Sequence, residues 1–260
     1  MTELTGKVAI ITGGGYGIGR QIARRYGAAG MRLLLAARSA GPLEEAVSEL
    51  RAAGAQATCI KADVSKEADC ESMVAAARKE FGRVDVLVNN AGIAGPTKDS
   101  VAMSLAEWRE VIDINLTGAW LASRAVIPAM AAQGSGNILM ISSGAGRRGY
   151  PLRSPYSTSK WGMIGLTQTL AGEWGAKGIR VNCICPGAVE GERIERVINA
   201  RAAALGVPAE QVRKGFTSNA ALQRMVTEEE VARVALFLVS DLSAGMSGQT
   251  LNVDAGSIMN

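Results

Sequence analysis

Residues Val8-Ala-Ile-Ile11 are followed directly by Thr12-Gly-Gly-Gly-Tyr-Gly-Ile-Gly19, which leads into an amphipathic stretch. A short apolar run predicts a strand buried on both faces of a sheet. The glycines permit a tight turn and let backbone N–H groups approach a phosphate at the N-terminus of the next helix. Their spacing is G-x-x-x-G-x-G at Gly13, Gly17 and Gly19, which differs from the G-x-G-x-x-G dinucleotide fingerprint. The segment predicts a nucleotide-binding β-α unit, although a methyltransferase would share such a turn.

Short apolar runs alternate with longer amphipathic stretches along the rest of the chain. Repeated β-α units predict a parallel sheet with right-handed crossovers and helices on both faces. Because no linker or repeat interrupts the pattern, we expect a single α/β domain over residues 1–260, with a Rossmann-like, doubly wound, parallel seven-stranded sheet. The predicted strands are residues 8–11, 33–36, 84–88, 137–141, 179–184 and 249–253, with 56–61 as a weaker candidate, and the predicted helices are residues 17–29, 42–53, 66–81, 105–132, 155–176 and 227–240.

Composition narrows the classes of partner. The 260 residues carry a net formal charge of +4 with scattered basic side chains, so a nucleic-acid partner is not expected. The four cysteines form no C-x-x-C pair and the chain has no histidine, so a zinc site is not indicated and we predict no metal. The N-terminus lacks a signal-peptide pattern, and no apolar run approaches the roughly 20 residues of a membrane span. We therefore expect a cytoplasmic protein without a membrane partner.

Tyr156 and Lys160 share one face of a predicted helix, because four positions separate them. A nearby lysine cation favours the phenolate and lowers the pKa of a tyrosine, which ordinarily lies at about 10. Tyr156 could then exchange a proton near working pH, a task that histidine usually performs. Since the chain has no histidine, the pair is a candidate acid/base centre, with Ser143 thirteen positions upstream of the tyrosine.

Taken in order, the motifs of this chain resemble those of the classical short-chain dehydrogenase/reductase family. The resemblance covers essentially the whole chain and implies an NAD(P)-dependent oxidoreductase that acts on CH–OH groups. It is carried by Thr12–Gly19, Ala62-Asp63-Val64, Asn89-Asn-Ala-Gly92, Asn115 within Asp-Ile-Asn-Leu-Thr, Ser143 within Ile-Ser-Ser-Gly, Tyr156, Lys160 and Pro186-Gly187.

The resemblance also assigns roles to single residues. Tyr156 would be the general acid/base, and Ser143 would hold the substrate oxygen. Lys160 would bind the nicotinamide ribose and lower the pKa of Tyr156, while Asn115 would hold a water in a proton relay with that lysine. The implied cofactor-binding residues are Gly13, Gly15, Tyr16, Gly17, Ile18 and Gly19 in the turn, Arg38, Asp63 and Val64 beside the adenosine, Asn90, Ala91 and Gly92 along the nucleotide, Tyr156 and Lys160, and Pro186, Gly187 and Val189 beside the nicotinamide.

The end of the second predicted strand bears on the choice of cofactor. Ala37 stands where a carboxylate would bind the ribose 2′-hydroxyl of NAD, and Arg38 follows it. A guanidinium suits the 2′-phosphate of NADP. Many NADP-preferring members of the family also carry a basic residue just before the second glycine of the turn, where this chain has Tyr16. We predict NADP, and NAD remains open.

The substrate is predicted only as a class. By the same resemblance, residues 188–217 would form the substrate lid. Three arginines and a tyrosine between Ser143 and Tyr156 are expected near the mouth of the pocket, where they would favour an anionic or polyhydroxylated carbonyl compound. These residues are Arg147, Arg148, Tyr150 and Arg153.

The predicted helices at 105–132 and 155–176 are long and apolar on more than one face, which indicates burial against another subunit. The family resemblance implies a homotetramer or homodimer. The leading prediction is an NADP(H)-dependent carbonyl reductase of the 3-oxoacyl or ketone type. An NAD-dependent dehydrogenase of a sugar or other secondary alcohol is the alternative, and a non-catalytic nucleotide-sensing protein is an alternative of another class.

Overall fold

Seven strands form one parallel sheet in the computed structural model, which describes residues 4–259. The strands are β1 (Val8–Thr12), β2 (Arg32–Ala37), β3 (Ala57–Lys61), β4 (Val86–Asn89), β5 (Gly136–Ile141), β6 (Ile179–Pro186) and β7 (Thr250–Val253). Their order across the sheet is β3-β2-β1-β4-β5-β6-β7, so the direction of winding reverses between β1 and β4. The predicted fold class is confirmed, and the weak strand candidate forms β3.

Helices cover both faces of this sheet. Within residues 4–259 they are α1 (Gly17–Ala28), α2 (Ala40–Ala52), α3 (Glu67–Phe81), α4 (Leu105–Ile112), α5 (Gly118–Gln133), α6 (Ser154–Trp174), α7 (Glu192–Leu205), α8 (Ala209–Ser218) and α9 (Glu228–Val239). Helices α3, α5 and α6 contribute to the hydrophobic core on one face, and α1, α2 and α9 contribute to the core on the other.

Strand β1 shows why the buried strands are continuous apolar runs in the sequence. Successive side chains of a strand point to opposite faces. Ile10 packs into the core beside α3, α5 and α6, whereas Ile11 packs into the core beside α1, α2 and α9, and both are fully buried. Burying such a side chain contributes about 1.5–3 kcal/mol. Both faces of the strand therefore require apolar residues. The polar groups of a functional site must then come from the residues that follow the strand.

The predicted helix over 105–132 forms, but it is not α-helical throughout. A π-helical turn over Asp113–Thr117 separates α4 from α5. A π turn holds more residues than a regular turn and is frequent at functional sites. Here it coincides with Asn115, whose amide exchanges two hydrogen bonds with the backbone of Ile93, after β4. A long-range polar contact thus accompanies the break in the helical pattern.

The predicted lid segment contains α7 and α8, which pack on each other. Arg213 of α8 donates a hydrogen bond to Glu195 of α7 at 2.8 Å. The base of the segment is held by a parallel bridge between Val189 and Val226. This arrangement places the first turn of α7 beside the carboxyl ends of the central strands.

Over residues 4–259, none of the helices has the length and apolar character needed to cross a bilayer. In that same range, no cluster of three or more His, Cys, Asp or Glu side chains is arranged to hold a metal ion.

Candidate active site

A cavity of about 830 Å³ lies at the carboxyl ends of the strands, beside the reversal between β1 and β4. Ligands of open α/β sheets bind in such a crevice. All but two of the predicted site residues line it. The lining members are Gly13, Gly15, Tyr16, Gly17, Ile18, Arg38, Asp63, Val64, Asn90, Ala91, Gly92, Ser143, Tyr156, Lys160, Pro186, Gly187 and Val189.

Gly19 is one of the two predicted residues that do not line the cavity. A Cβ atom at Gly19 would lie 2.4 Å from both the carbonyl oxygen of Gly13 and the Nδ2 atom of Asn90. Such a contact is a clash with backbone, so only glycine allows α1 to close on the turn. Its lack of a side chain therefore sets the shape of the turn.

Asn115 is the other predicted residue that does not line the cavity, and it is fully buried behind the cavity wall. Its Oδ1 accepts a hydrogen bond from the Ile93 N–H at 2.8 Å, and its Nδ2 donates to the Ile93 carbonyl and the Ser159 hydroxyl at 3.1 Å each. A Cβ atom on Gly92 would lie 2.9 Å from Asn115 Oδ1. The side chain therefore fixes the segment after β4 against α6.

The N-terminus of α1 is suited to a phosphate group. Tyr16 is its N-cap residue, its side chain makes no capping hydrogen bond, and the first turn contains no acidic residue. The helix itself therefore supplies no carboxylate that would compete for its N–H groups and the positive end of its dipole, although Glu228 Oε1 of α9 lies 3.3 Å from the position of a Cβ atom on Gly17. These observations fit the pyrophosphate of a dinucleotide.

Arg38 and Asp63 stand at the other end of the nucleotide region. Arg38 is exposed at the cavity edge, directly after Ala37, which ends β2. The Asp63 carboxylate accepts hydrogen bonds from the N–H and hydroxyl of Ser65 at 3.0 and 2.7 Å. Burial alone would raise the pKa of Asp63, but the Ser65 hydrogen bonds and the Arg38 charge hold it below its ordinary value. Asp63 is therefore ionised and occupied by Ser65, which leaves the Arg38 guanidinium as the group positioned for a phosphate.

Ser143, Tyr156 and Lys160 converge at the opposite end of the cavity. Ser143 follows β5 with an extended backbone, and its hydroxyl hydrogen-bonds the Tyr156 phenol. The Lys160 ammonium donates to the Ile141 carbonyl at 2.7 Å and lies 5.9 Å from the centre of the Tyr156 ring. The four-residue spacing on α6 thus brings the phenol and the ammonium together beside the end of β5.

Burial and charge act in opposite directions on Tyr156. Burial raises its pKa, but the cations of Arg193, Lys160 and Arg153 and the hydrogen bond from Ser143 together bring the pKa below its ordinary value. Burial likewise lowers the pKa of Lys160, against the opposing effect of the Tyr156 phenolate. The phenol is therefore more acidic than a free tyrosine.

Arg193 is a site residue that the sequence analysis did not identify. It lies in the first turn of α7, lines the cavity and donates to the Gly92 carbonyl at 3.2 Å. Among the charges acting on Tyr156 it is the strongest, ahead of Lys160. Its position 37 residues after the tyrosine gave no local signal, since only the packing of α7 brings the two together.

The arginines expected near the pocket mouth are not equivalent. Arg148 is exposed there, as predicted, whereas Arg153 is only 3% exposed and stacks on Tyr156, with the guanidinium carbon 4.8 Å from the ring centre. Arg153 was expected near the mouth of the pocket, and it lines the cavity as a buried side chain. The turn before α6 folds the side chain inward, where it donates to the Ala94 carbonyl at 2.7 Å.

We predict that Tyr156 ionises at lower pH than Tyr26 and Tyr150. Burial raises the pKa of Tyr26 and of Tyr150, whereas the surrounding cations lower that of Tyr156. In ultraviolet difference spectra of the protein without cofactor, Tyr156→Phe should remove a tyrosinate step that lies below those of Tyr26 and Tyr150. Arg193→Gln should move that step to higher pH, because it removes the strongest cation.

Arg196→Gln is the control for that titration. Arg196 is 70% exposed on the same helix and pairs with Glu192. This variant should leave the Tyr156 step unchanged, and retention of that step in Tyr156→Phe would contradict the assignment.

Comparison with known proteins identifies the family. The sequence model described as "short chain dehydrogenase" matches residues 7–202. A 3-oxoacyl-[acyl-carrier-protein] reductase of Synechocystis sp. is 37% identical over 263 residues, covering 100% of both chains. The crystal structure of an actinorhodin polyketide ketoreductase variant with NADPH has a TM-score of 0.93 and 36% identity, with 99% of each chain covered. NAD+-bound xylitol dehydrogenase has a TM-score of 0.95 and 31% identity, with 98% of this chain and 100% of that chain covered.

The likeness extends over nearly the full length of the sequence and of the fold, and this chain belongs to the short-chain dehydrogenase family of NAD(P)-dependent oxidoreductases that act on alcohol and carbonyl groups.

Proposed function

We propose that this protein is an NADP(H)-dependent reductase that converts a carbonyl compound to a secondary alcohol, with Ser143, Tyr156, Lys160 and Asn115 as its working residues. The observation that carries this proposal is the position of the Ser143–Tyr156–Lys160 group in the same cavity as the glycine turn. Reductase names among the relatives support the reductive direction.

The cavity has suitable groups for each part of the nucleotide. The N-terminus of α1 would bind the pyrophosphate, Val64 and Asp63 would flank the adenine, and Lys160 would bind the nicotinamide ribose. Pro186, Gly187 and Val189 would flank the nicotinamide. A Cβ atom on Gly187 would lie 2.8 Å from the Asp254 Cα, so the wall at this point is drawn tightly onto the chain after β7. When bound, the nicotinamide supplies or accepts the hydride.

Tyr156 and Ser143 would handle the substrate oxygen. In the reductive direction the Tyr156 phenol would donate its proton to this oxygen as hydride reaches the carbon, and Ser143 would hydrogen-bond the same atom. The lowered pKa of Tyr156 makes this transfer easier, and it also favours the phenolate needed in the oxidative direction. The charge that develops on the oxygen would be stabilised by the cations of Lys160 and Arg193.

The contribution of Asn115 would be positional. The family resemblance implies a proton relay from Lys160 through a water beside Asn115. The side-chain amide is already bonded to Ile93 and Ser159, so Asn115 would serve such a relay by fixing the π turn next to the lysine. Loss of this amide would leave the partly buried N–H and carbonyl groups of Ile93 without these partners, which is costly.

Arg38 supports NADP as the cofactor, and one observation favours the alternative. The guanidinium lies at the adenosine end of the cavity, and the end of β2 carries no carboxylate. Tyr16, by contrast, stands where many NADP-preferring members have a basic residue, and the NAD+-bound xylitol dehydrogenase is a close structural neighbour. An NAD-dependent dehydrogenase of a sugar or other secondary alcohol is therefore the second candidate. A non-catalytic nucleotide sensor is less consistent with a buried tyrosine whose pKa is lowered.

We further propose that residues 188–217 act as the substrate lid in a homotetramer or homodimer. Helices α7 and α8 border the cavity, which supports a lid. Trp120 on α5 and Trp161 on α6 are 43% and 50% exposed, which supports burial against a second copy. A monomer by light scattering at micromolar concentration would contradict the assembly. A cytoplasmic location is part of this proposal, because all four cysteines are free thiols.

Replacement of Tyr156 by phenylalanine tests the proposed chemistry. Tyr156→Phe should lower the turnover number by about 1000-fold or more, because the proton donor is lost while the ring remains. NADPH binding, followed by nicotinamide fluorescence, should change by no more than about threefold. Tyr150→Phe, which removes another phenol from the same cavity, should retain turnover. A near-native rate in Tyr156→Phe would contradict the assignment.

The cofactor is tested by parallel titrations with NADPH and NADH. Wild-type protein should bind NADPH more tightly, and Arg38→Ala should weaken NADPH by about 10- to 100-fold through loss of a charge-assisted hydrogen bond. NADH binding should be nearly unchanged. Lys61→Ala, which removes an exposed cation at the end of the neighbouring strand β3, is the control. Tighter binding of NADH by the wild type would favour the second candidate.

A further inference from the structure

Arg153 is a buried cation beside the proposed proton donor. It is 3% exposed, lines the cavity, and has its guanidinium carbon 4.8 Å from the centre of the Tyr156 ring. A charged side chain is rarely buried to this extent unless it is paired. The buried guanidinium of Arg153 is therefore expected to have a partner.

The protein satisfies only part of the hydrogen-bonding capacity of Arg153. The Nη2 group of Arg153 donates to the Ala94 carbonyl at 2.7 Å, but the buried Nε atom has no acceptor. Arg201 of α7 shows the same state, since its Nη1 atom is buried without an acceptor and its guanidinium carbon lies 5.2 Å from the Tyr150 ring centre. Buried donors without partners are costly, and the cost is larger for charged groups.

The charged groups around Arg153 do not balance its positive charge. Within the part of the chain that the structure describes, none of Arg148, Arg153, Arg193 and Arg201 forms an ion pair with a carboxylate, although many arginines elsewhere do. The neighbouring cations Arg193 and Arg201 repel Arg153. The carboxylates on the cavity wall are not its partners, and Glu192, for example, pairs with Arg196 at 3.6 Å.

A purely structural role explains only some of these contacts. The bond to Ala94 ties the turn before α6 to the segment after β4, and the aromatic faces of Tyr150 and Tyr156 stabilise the guanidinium by cation–π attraction. Neither contact uses the Nε donor or supplies a negative charge. A planar guanidinium with an unpaired Nε donor, next to a reactive centre, matches a carboxylate or a similar oxyanion.

We propose that the substrate is a small oxo acid whose own oxyanion group, a carboxylate or sulfonate, binds to Arg153 while its carbonyl oxygen faces Tyr156 and Ser143. This inference rests on the proposed function and narrows its substrate class. The anion is unchanged in the reaction, which adds a hydride from the reduced nicotinamide to the carbon and a proton to the oxygen. A neutral thioester would leave the Arg153 Nε donor and the excess positive charge unpaired.

Matched pairs of charged and neutral ketones test the inference. Acetoacetate and levulinate are compared with their methyl esters, and acetonesulfonate with methylsulfonylacetone, so that the carboxylate and sulfonate arms distinguish the two anions. Wild-type protein should show kcat/KM at least about 10-fold higher for the better anion than for its neutral partner. Arg153→Gln should lower kcat/KM for that anion by about 10- to 100-fold, as expected for loss of a charged hydrogen bond, and change the neutral partner far less. Arg153→Lys should retain part of the preference.

The neutral ketones also separate binding of the anion from an effect on the proton donor. If Arg153 served only to position or acidify Tyr156, Arg153→Gln would slow charged and neutral substrates equally, and the inference would be overturned. A wild-type preference for the neutral partners would overturn it as well. Arg196→Gln, which removes an exposed arginine from the cavity rim, should leave the preference unchanged.

A binding measurement distinguishes failure of this inference from failure of the proposed function. Butanoate and methanesulfonate carry the anion but no reducible carbonyl. One of them should raise the melting temperature of wild-type protein saturated with NADPH, and the rise should disappear in Arg153→Gln. If no ketone is reduced, the proposed function fails, and the melting shifts alone then support or reject an anion site. Circular dichroism and NADPH titration confirm that each variant is folded.

Discussion

The hydrogen bonds between Thr12 and the segment after β4 determine the shape of the whole site. The Thr12 hydroxyl donates to the Val88 carbonyl and accepts the N–H groups of Asn90 and Ala91, each at 3.1 Å. The Asn90 amide in turn donates to the carbonyls of Thr12 and Gly13 at 3.0 and 3.1 Å. These bonds join β1 to β4 where the strand order reverses, so the glycine turn and the cavity wall are held as one unit. These bonds therefore fix the two edges of the crevice relative to each other, and the space between the edges is where a nucleotide would bind.

The other end of the cavity is organised by positive charge around a phenol. Three cations act on Tyr156, from α6, from the turn before α6 and from α7, and together with the Ser143 hydrogen bond they outweigh the effect of burial on its pKa. In a chain without histidine, this arrangement provides an acid/base group by environment alone. It also concentrates cations in a region of low dielectric, where a bound anion would relieve their mutual repulsion. The acidity of the tyrosine and the affinity for a charged substrate have a common electrostatic origin.

The sequence was sufficient for those features that depend on local pattern. The apolar runs predicted the strands because both faces of the sheet are covered, and the spacing of Tyr156 and Lys160 placed them together because helical geometry leaves little choice. The π turn could not be predicted, since it accompanies the long-range contact between Asn115 and Ile93. The burial of Arg153 and the approach of Arg193 depend on how a turn and a lid helix pack, and neither has a periodic signal. Local rules thus located the chemistry, while tertiary packing set its electrostatics.

The π turn at Asp113–Thr117 also constrains the length of the chain. Successive residues of an α-helix are rotated by about 100° around its axis. A π turn accommodates one extra residue within the helix, so deleting one residue here would restore regular winding with α5 in nearly the same orientation. An insertion, or a second deletion, would instead rotate α5 relative to α4 by about that angle, and its buried face, with Leu121, Val126 and Met130, would turn away from the sheet. The residue held by the π turn is therefore not needed for the packing of α5, and its loss would be felt first at Asn115.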